Sequence, residues 1–331
     1  EECSENIWYV VREIIRIGPT SGDATIPCKA NRGNMATIWC YYAGISYAAI
    51  QPRQTGKSVG GDVITILNLV FLCTNTEMLL ATKDEKLLAR NIRRIKSMMR
   101  LLPEYLYPIS RGDADNSERI TLLARSNVLT GIIAQKDRKA ANNQGRGMTA
   151  AHIQYDEAPF QYNISEIIPA ATSAGARARD DARRNGEPFG ILYTTTPGDI
   201  ADKEVEFVHD IITAGTIMDE RIYYDAKDAD DVRELVLRNG TSKAPLINGT
   251  FNHRQLGFSD EWLYDAIAEA KLTVYKADME FFNRWKSGKQ SDLIPIDIQD
   301  VMALNEVESV YVEITRDKTC VHWQISEDEI R

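Results

Sequence analysis

Short apolar runs that end at turn residues alternate with stretches of helical periodicity between residues 45 and 200. The runs predict β-strands at 45–50, 76–82, 119–125, 152–156 and 189–196. After the second strand, Leu88, Ile92, Ile95 and Met99 recur at steps of three and four, which predicts one apolar helix face within 84–102. This alternation is typical of a mostly parallel sheet flanked by helices, so the sequence predicts an α/β fold.

The other parts of the chain give less regular patterns. From Asn127 to Ala150 a short apolar piece is followed by glycines, basic residues and asparagines, which predicts a hairpin and an exposed loop. After Thr196 the pattern is more polar and predicts helices at 203–214, 260–271 and 274–286. The stretch 308–329 alternates apolar and polar positions like a β-hairpin.

Composition narrows the classes of function. The chain has 331 residues, enough to bury a substantial core, and a formal net charge of -9. That charge argues against general coating of a polyanion, so any contact with nucleic acid is expected to be local. The five cysteines form no C-x-x-C pair, which argues against zinc and disulfides and favours a reducing, cytoplasmic setting. Since no apolar run approaches the ~20 residues that span a bilayer, we expect a soluble protein with no membrane partner.

One stretch is close to a phosphate-binding loop. Residues 51–58 read QPRQTGKS, which fits G-x-x-x-x-G-K-[ST] except that Gln51 replaces the first glycine. An apolar strand precedes it and an apolar helix is predicted after it, as such a loop requires. Gly56 would allow close backbone approach, Lys57 would bind phosphates, and Ser58 would hold Mg²⁺. The alternative is a surface turn with a solvated lysine, and Gly60 and Gly61 in the following helix have no explanation in the sequence.

Two further motifs follow predicted strands. Asp156 and Glu157 come directly after the strand at 152–156, where an Asp can hold Mg²⁺ and a Glu can activate water. Adjacent carboxylates are also common as solvated loop residues. Thr194, Thr195 and Thr196 end the strand at 189–196, at the edge where open α/β sheets bind ligands, although threonine also simply favours strands.

The ordered set RQTGKS, IQYDEA and YTTTPG resembles the ATPase domain of the large terminase subunit of tailed bacteriophages, the motor that drives DNA into an empty capsid. The resemblance covers roughly residues 30–290, and loops of that family share the missing first glycine. It implies a P-loop NTPase fold of the ASCE type with ATP and Mg²⁺ as cofactors. It also implies a division into an N-terminal helical, adenine-side segment (1–44), an ATPase core (45–200), and a remainder (201–331) with further core elements, a small helical lid subdomain and a tail.

The resemblance also implies roles for individual residues. Ser58 and Asp156 would hold Mg²⁺, Glu157 would be the catalytic base, and Thr194 to Thr196 would couple hydrolysis to movement. Nucleotide binding would involve Gln51, Arg53, Gln54, Thr55, Gly56, Lys57 and Ser58.

Two arginines and an adenine site complete the implied set. Arg53 would act within its own subunit or as a sensor, and Arg146 would reach the ATP of the next subunit, with Arg138 as a rival. Family members often read adenine with a glutamine upstream of the loop. No glutamine occurs there, so the candidates are Asn31, Arg32 and Asn34.

The function implied is an ATP-hydrolysing motor that translocates double-stranded DNA into a procapsid. The implied partners are DNA, the portal protein, the small terminase subunit and further copies in a ring, a pentamer on the portal. The setting would be the cytoplasm of the infected bacterium. The residues after 290 are too few for the nuclease domain of the family, so no cutting activity is expected from this chain. The alternatives are a helicase-like translocase, which needs a second sheet domain that is not predicted after residue 200, and a nucleotide-binding module without turnover.

One basic stretch has two interpretations. The predicted helix within 84–102 carries Arg90, Arg93, Arg94, Lys96 and Arg100 away from its apolar face. These side chains could face DNA or form a solvated surface, and the pattern favours the solvated surface.

Overall fold

The computed structural model describes residues 2–19, 24–107, 110–113, 116–144, 146, 149–224 and 226–287. The hairpin predicted within 308–329 lies outside these residues. In the described part of the chain, no helix combines the length and the apolar character needed to cross a membrane.

The strands of the described residues form one large sheet and one small ribbon. In chain order they are β1 (Arg16–Ile17), β2 (Ile26–Pro27), β3 (Ser46–Ile50), β4 (Glu77–Thr82), β5 (Arg119–Leu122), β6 (Asn127–Ile133), β7 (His152–Asp156), β8 (Gly190–Thr195), β9 (Thr216–Ile217) and β10 (Leu246–Thr250). The ribbon pairs β1 with β2, and the sheet has the order β5-β6-β4-β7-β8-β3-β10-β9. Neighbouring strands of the sheet are parallel except β5 and β6.

Helices cover both faces of this sheet. The α-helices of the described residues are α1 (Glu2–Glu5), α2 (Ile7–Tyr9), α3 (Arg32–Tyr42), α4 (Lys57–Ile66), α5 (Glu85–Met99), α6 (Arg138–Asn143), α7 (Ile164–Ala174), α8 (Ala176–Asn185), α9 (Lys203–Thr213), α10 (Ala229–Asn239), α11 (Asp260–Ala270) and α12 (Val274–Glu280). Helix α4 continues as a π-helix over Leu67–Leu72.

The core lies in two layers, one on each face of the sheet. Along β3, Tyr47 and Ala49 belong to one apolar cluster and Ala48 and Ile50 to the other. A strand buried on both faces is apolar at every position, which is why β3 reads as a continuous apolar run. A third apolar cluster joins α11 and α12.

The fold class predicted from the sequence is confirmed: the structure is a mostly parallel sheet flanked by helices. The strand predicted at 119–125 ends at Leu122, because Leu123–Arg125 form a 3₁₀ turn. The helix predicted at 274–286 ends at Glu280.

Two expectations about organisation were wrong in part. The stretch from Asn127 does form a hairpin with β5, but its strand β6 also inserts beside β4 as an interior strand of the sheet, and α6 follows it. Beyond residue 200, β9, α10 and β10 continue the alternation of strands and helices. Both strands join the same sheet, so within the described residues they form no second sheet domain.

Candidate functional site

The three sequence motifs meet at one edge of the sheet. Strands β7, β8 and β3 are neighbours and run parallel, so their carboxyl ends lie side by side. The candidate phosphate loop, residues 51–58, follows β3. Asp156 and Glu157 stand at the end of β7, and Thr194 and Thr195 end β8. This edge is where open α/β sheets bind ligands.

The loop between β3 and α4 has the backbone that a phosphate-binding loop needs. Helix α4 begins at Lys57, and its N-cap Gly56 has φ of +95°, which a side chain would strain. Gln54 is also left-handed, with φ of 63°. The free N–H groups at the start of α4 therefore point toward the end of the loop, where they favour an anion.

Gln51 occupies the place of the missing glycine without strain. Its φ is not positive, so this position requires no glycine. Its side chain is buried and packs against α3 at Gly33, where an added Cβ would lie 2.5 Å from Gln51 Nε2. The Thr55 hydroxyl donates to the Pro52 carbonyl oxygen at 2.8 Å and lies 3.3 Å from Gln51 Oε1. The hydroxyl of Thr55 therefore stabilises the loop from inside, and the lack of a side chain at Gly33 leaves room for Gln51 against α3.

Asp156 is the centre of a hydrogen-bond cluster. Its Oδ1 accepts from Ser58 Oγ at 3.1 Å and from Thr194 Oγ1 at 2.7 Å, and its Oδ2 accepts from Asn91 Nδ2 at 2.7 Å. The side chain is almost fully buried. Carboxylate and hydroxyl oxygens side by side are the ligands that Mg²⁺ prefers, so Ser58 and Asp156 fit a magnesium site.

Glu157 stands beside Lys57 at the same edge. Its backbone is left-handed, with φ of 58°, and its N–H donates to the Thr194 carbonyl oxygen at 2.8 Å. Its Oε1 is 3.9 Å from Lys57 Nζ, and its Oε2 is 3.2 Å from Thr195 Oγ1. Burial raises the pKa of the Glu157 carboxyl, and Lys57 opposes that shift. Burial also lowers the pKa of Lys57, and Glu157 opposes it. A carboxylate with a raised pKa is suited to accept a proton from water.

The threonines of β8 are bonded to this acidic pair. Thr194 donates to Asp156, and the Thr195 hydroxyl lies between Glu157 Oε2 and the Thr196 carbonyl oxygen, at 3.2 and 2.9 Å. Thr196 lines the cleft next to them. A movement of either carboxylate would therefore alter a hydrogen bond to a threonine of β8.

A cleft of about 1070 Å³ opens over these residues. Lys57, Glu157 and Thr196 line it, together with the start of α5 and residues of α12. Arg53 reaches α12: its N–H donates to the Glu280 carbonyl oxygen at 2.8 Å, and its guanidinium is 3.4 Å from Glu280 Oε2. The helical pair α11 and α12 is thus attached to the phosphate loop.

The two candidate arginines of the loop after β6 have different surroundings. Arg138 Nε donates to Glu166 Oε1 at 2.6 Å, so its charge is already paired. Arg146 is exposed and lies outside the described residues that line the cleft. An arginine in that position is available to a neighbouring molecule, while Arg138 is engaged within its own chain.

The adenine candidates are all engaged around α3. Asn31 caps this helix through Oδ1, which accepts from the Asn34 N–H at 2.9 Å, and Asn34 Nδ2 donates to the Lys29 carbonyl oxygen at 2.7 Å. Arg32 binds Glu220 through two bonds of 2.5 and 2.6 Å. Adenine binding by any of them stays a prediction.

Sequence reasoning missed two residues that hold Asp156. Asn91 lies in the otherwise apolar face of α5 between Leu88 and Ile95, and a lone polar residue in such a face was the available signal. Gln161 Nε2 donates to the carbonyl oxygens of Ala81 and Asp156, at 3.0 and 2.9 Å. Nothing in the local sequence indicates that contact.

The structure explains the two glycines of α4. A Cβ on Gly60 would lie 2.9 Å from Asn34 Oδ1, and one on Gly61 would lie 2.4 Å from Gln154 Nε2. Both positions let a polar side chain, from α3 and from β7, pack against the first turns of α4. Close packing here outweighs the helix propensity that the glycines cost.

We expect Gly61→Ala to destabilise the protein by about 1–2 kcal/mol, because the new methyl group overlaps the buried Gln154 amide. In a Gln154→Ala background the overlap is gone, so the same change should stabilise by up to ~1 kcal/mol through helix propensity. Urea denaturation of the four proteins measures both effects. Equal effects in the two backgrounds would show that Gln154 does not set the requirement for glycine.

The fold and the loop geometry together define a P-loop NTPase fold. No protein-family model matches the sequence, and no curated protein sequence matches it. Solved structures do match, among them large terminases of bacteriophages, the family that the three motifs resemble.

Three of these structures show the extent of the likeness. The large terminase of a thermophilic bacteriophage matches at 13% identity and a TM-score of 0.49, over 77% of this chain and 53% of that one. The ATPase domain of the Thermus phage P74-26 large terminase matches at 14% and 0.48, over 72% and 88%. The HK97 bacteriophage large terminase matches at 15% and 0.47, over 63% and 41%. This chain thus spans about half the length of the first of these proteins, which has also been solved with ADP and with ATP-gamma-S.

Proposed function

We propose that this chain is the ATP-hydrolysing motor domain of a viral large terminase, which translocates double-stranded DNA into a procapsid. The assignment of ATP hydrolysis rests on one observation: two pairs of side chains lie next to each other at one edge of the sheet. Ser58 and Asp156 are 3.1 Å apart, and Lys57 and Glu157 are 3.9 Å apart. One bound triphosphate could therefore contact a phosphate-binding lysine, a pair of metal-binding oxygens and a general base at the same time.

Each residue has a separate task in this proposal. The N–H groups at the start of α4 and the ammonium of Lys57 bind the β- and γ-phosphates. Ser58 and Asp156 would hold Mg²⁺, which neutralises charge on the phosphate oxygens. Glu157 orients a water molecule toward the γ-phosphate and accepts its proton. The hydroxyl of Thr195 helps to hold the Glu157 carboxylate in place.

Loss of the γ-phosphate would change two sets of contacts around the site. Thr194 and Thr195 tie β8 to Asp156 and Glu157, and Arg53 ties the phosphate loop to Glu280 of α12. A shift of either carboxylate or of the loop would move the residues after β8 or the helical pair α11 and α12. These are the elements that we propose convert hydrolysis into movement.

The proposal includes the partners that such a motor needs. These are ATP, double-stranded DNA, the portal protein, the small terminase subunit and other copies of the chain in a ring, a pentamer on the portal. The setting is the cytoplasm of an infected bacterium, at the procapsid portal. A helicase with two sheet domains is disfavoured, because β9 and β10 extend the same sheet as the other strands of the described core.

The ring predicts that variants with different defects complement each other. Arg146→Ala removes the arginine that a subunit contributes to the ATP site of its neighbour. Glu157→Gln removes the base that a subunit contributes to its own ATP site. Each variant alone should lose ATP hydrolysis, the first by ~10³-fold or more. An equal mixture should recover up to about a quarter of the native rate, because a head-to-tail ring places the two variants in the required order at one interface in four.

The control is a mixture of Arg146→Ala with the double variant Arg146→Ala/Glu157→Gln, which contains no complete site. Phosphate release is measured at protein concentrations where the native chain is most active. If the first mixture is no faster than the control, the ATP site is not shared through Arg146.

A further inference from the structure

Helix α5 carries a row of exposed basic side chains that leads out of the nucleotide cleft. Lys86, Arg90 and Arg93 lie at positions i, i+4 and i+7, so they share one side of the helix, and Lys83 stands two residues before the first residue of the helix, Glu85. We name these four residues the α5 basic face. Lys83, Lys86 and Arg90 line the cleft, and Arg93 lies on the next turn, outside it.

The α5 basic face is not neutralised by its own chain. None of its four side chains has an ion pair or a side-chain hydrogen bond among the described residues. Exposed arginines elsewhere do pair with carboxylates, among them Arg177 with Asp181 and Arg184 with Asp181. The chain has a formal net charge of -9, so three unpaired cations on one side of a helix, with a fourth just before it, give this surface a charge opposite to that of the whole chain.

The inner side of α5 is anchored at the nucleotide site. Arg94, which sequence reasoning placed on the solvated surface, forms an ion pair with the buried Asp62 of α4. Asn91 donates to Asp156 at 2.7 Å. One helix therefore presents unpaired cations to solvent and touches both the helix of the phosphate loop and the metal-binding candidate.

We propose that the α5 basic face binds the phosphate backbone of duplex DNA, and that Asn91 and Arg94 connect this contact to the nucleotide site. The proposal rests on the proposed function, which requires a DNA track near the motor site. Lys86 and Arg93 are about 10 Å apart along the helix. Duplex DNA presents one negative charge per ~1.7 Å of its axis, so about six phosphate charges lie alongside that length. Contacts to phosphates carry no sequence preference, as a motor that moves along any sequence requires.

Salt-dependent binding of duplex DNA tests the proposal. The variant Lys86→Ala/Arg90→Ala/Arg93→Ala is compared with Arg177→Ala/Arg183→Ala/Arg184→Ala, which removes three exposed positive charges from α8. The affinity of each protein for a fluorescent duplex is measured by anisotropy over a range of salt concentrations. The α5 variant should lose at least tenfold in affinity at low salt, and its slope of log K against log salt should fall by about 2–3. The α8 variant should keep the native slope.

Equal losses in both variants, or a native chain that does not bind the duplex at low salt, would overturn the proposal. Circular dichroism and the thermal midpoint show whether the triple variant is folded. If it is not, the single variant Arg93→Gln must lower the slope by about 0.9, as one lost phosphate contact requires. Hydrolysis of ATP by the native chain, and its dependence on Glu157, is measured separately, so failure of the ATPase assignment is distinguishable from failure of the DNA contact.

Discussion

Replacing Glu157 with glutamine is expected to lower the rate of ATP hydrolysis by about 10²–10⁴-fold, while ATP still binds. The amide keeps the size of the side chain but cannot accept the proton of the attacking water. The side chain at position 157 stays beside Lys57 and Thr195, because its backbone contacts do not change. One of these is the hydrogen bond from the N–H of residue 157 to the Thr194 carbonyl oxygen. Steady-state phosphate release and the binding of a fluorescent ATP analogue measure the two properties.

The matched control for this variant is Glu234→Gln, which removes a carboxylate from α10, away from the residues that line the cleft. It should hydrolyse ATP at the native rate. A Glu157→Gln protein that retains more than a tenth of the native rate would contradict the role of Glu157 as the base.

Replacing Lys57 with glutamine is expected to weaken ATP binding by roughly 10²-fold and to abolish ATP hydrolysis. Lys57 is only 8% exposed, and its ammonium would make charge-assisted bonds to the phosphates at the start of α4. The loss of such bonds to a charged group costs about 2–3 kcal/mol, which corresponds to roughly 10²-fold weaker binding. Titration calorimetry with ATP and Mg²⁺ measures the affinity directly.

Lys276→Gln is the control for that measurement, because Lys276 lines the same cleft from α12. It removes one positive charge from the cleft without touching the phosphate loop. If both lysine variants weaken ATP binding equally, the nucleotide is bound by the overall positive charge of the cleft, and Lys57 makes no specific contact with the phosphates. The two variants at 57 and 157 together separate binding from chemistry.

Most of the central strands could be predicted because burial on both faces makes them apolar. β3, β4, β7 and β8 lie in the middle of the sheet, and β3, β4 and β8 each contain an apolar run of the right length. β7, with the sequence HIQYD, is less apolar because it buries His152, Gln154 and Asp156. The motifs at the ends of three of these strands could be predicted for the same reason. Once the strands are parallel neighbours, their carboxyl ends must meet.

Strand β10 was missed because its residues look like a turn. Its sequence LINGT contains Asn248 and Gly249, a pair that usually signals a hairpin turn. In the structure, a Cβ on Gly249 would lie 1.9 Å from the Tyr47 hydroxyl oxygen of β3, so the glycine makes room for the side chain of a neighbouring strand. Such a requirement arises only from tertiary packing.

The same limit applies to the candidate site. Asn91 and Gln161 reach Asp156 from 65 and 5 residues away, and both contacts depend on how α5 and the turn after β7 pack. Gln51 and Gly33 fit each other across α3 and the phosphate loop, which the loop sequence alone does not indicate. The sequence therefore predicts which groups carry the chemistry, and packing determines which groups hold them.

The rate of ATP hydrolysis per subunit, measured against protein concentration for the native chain and for Glu157→Gln, tests the central claim most directly. We expect a native rate that rises with concentration, because each site is completed by a neighbour, and a rate near background for the variant at every concentration. A native chain that hydrolyses no ATP at any concentration, or a rate that is the same in the two proteins, would contradict it.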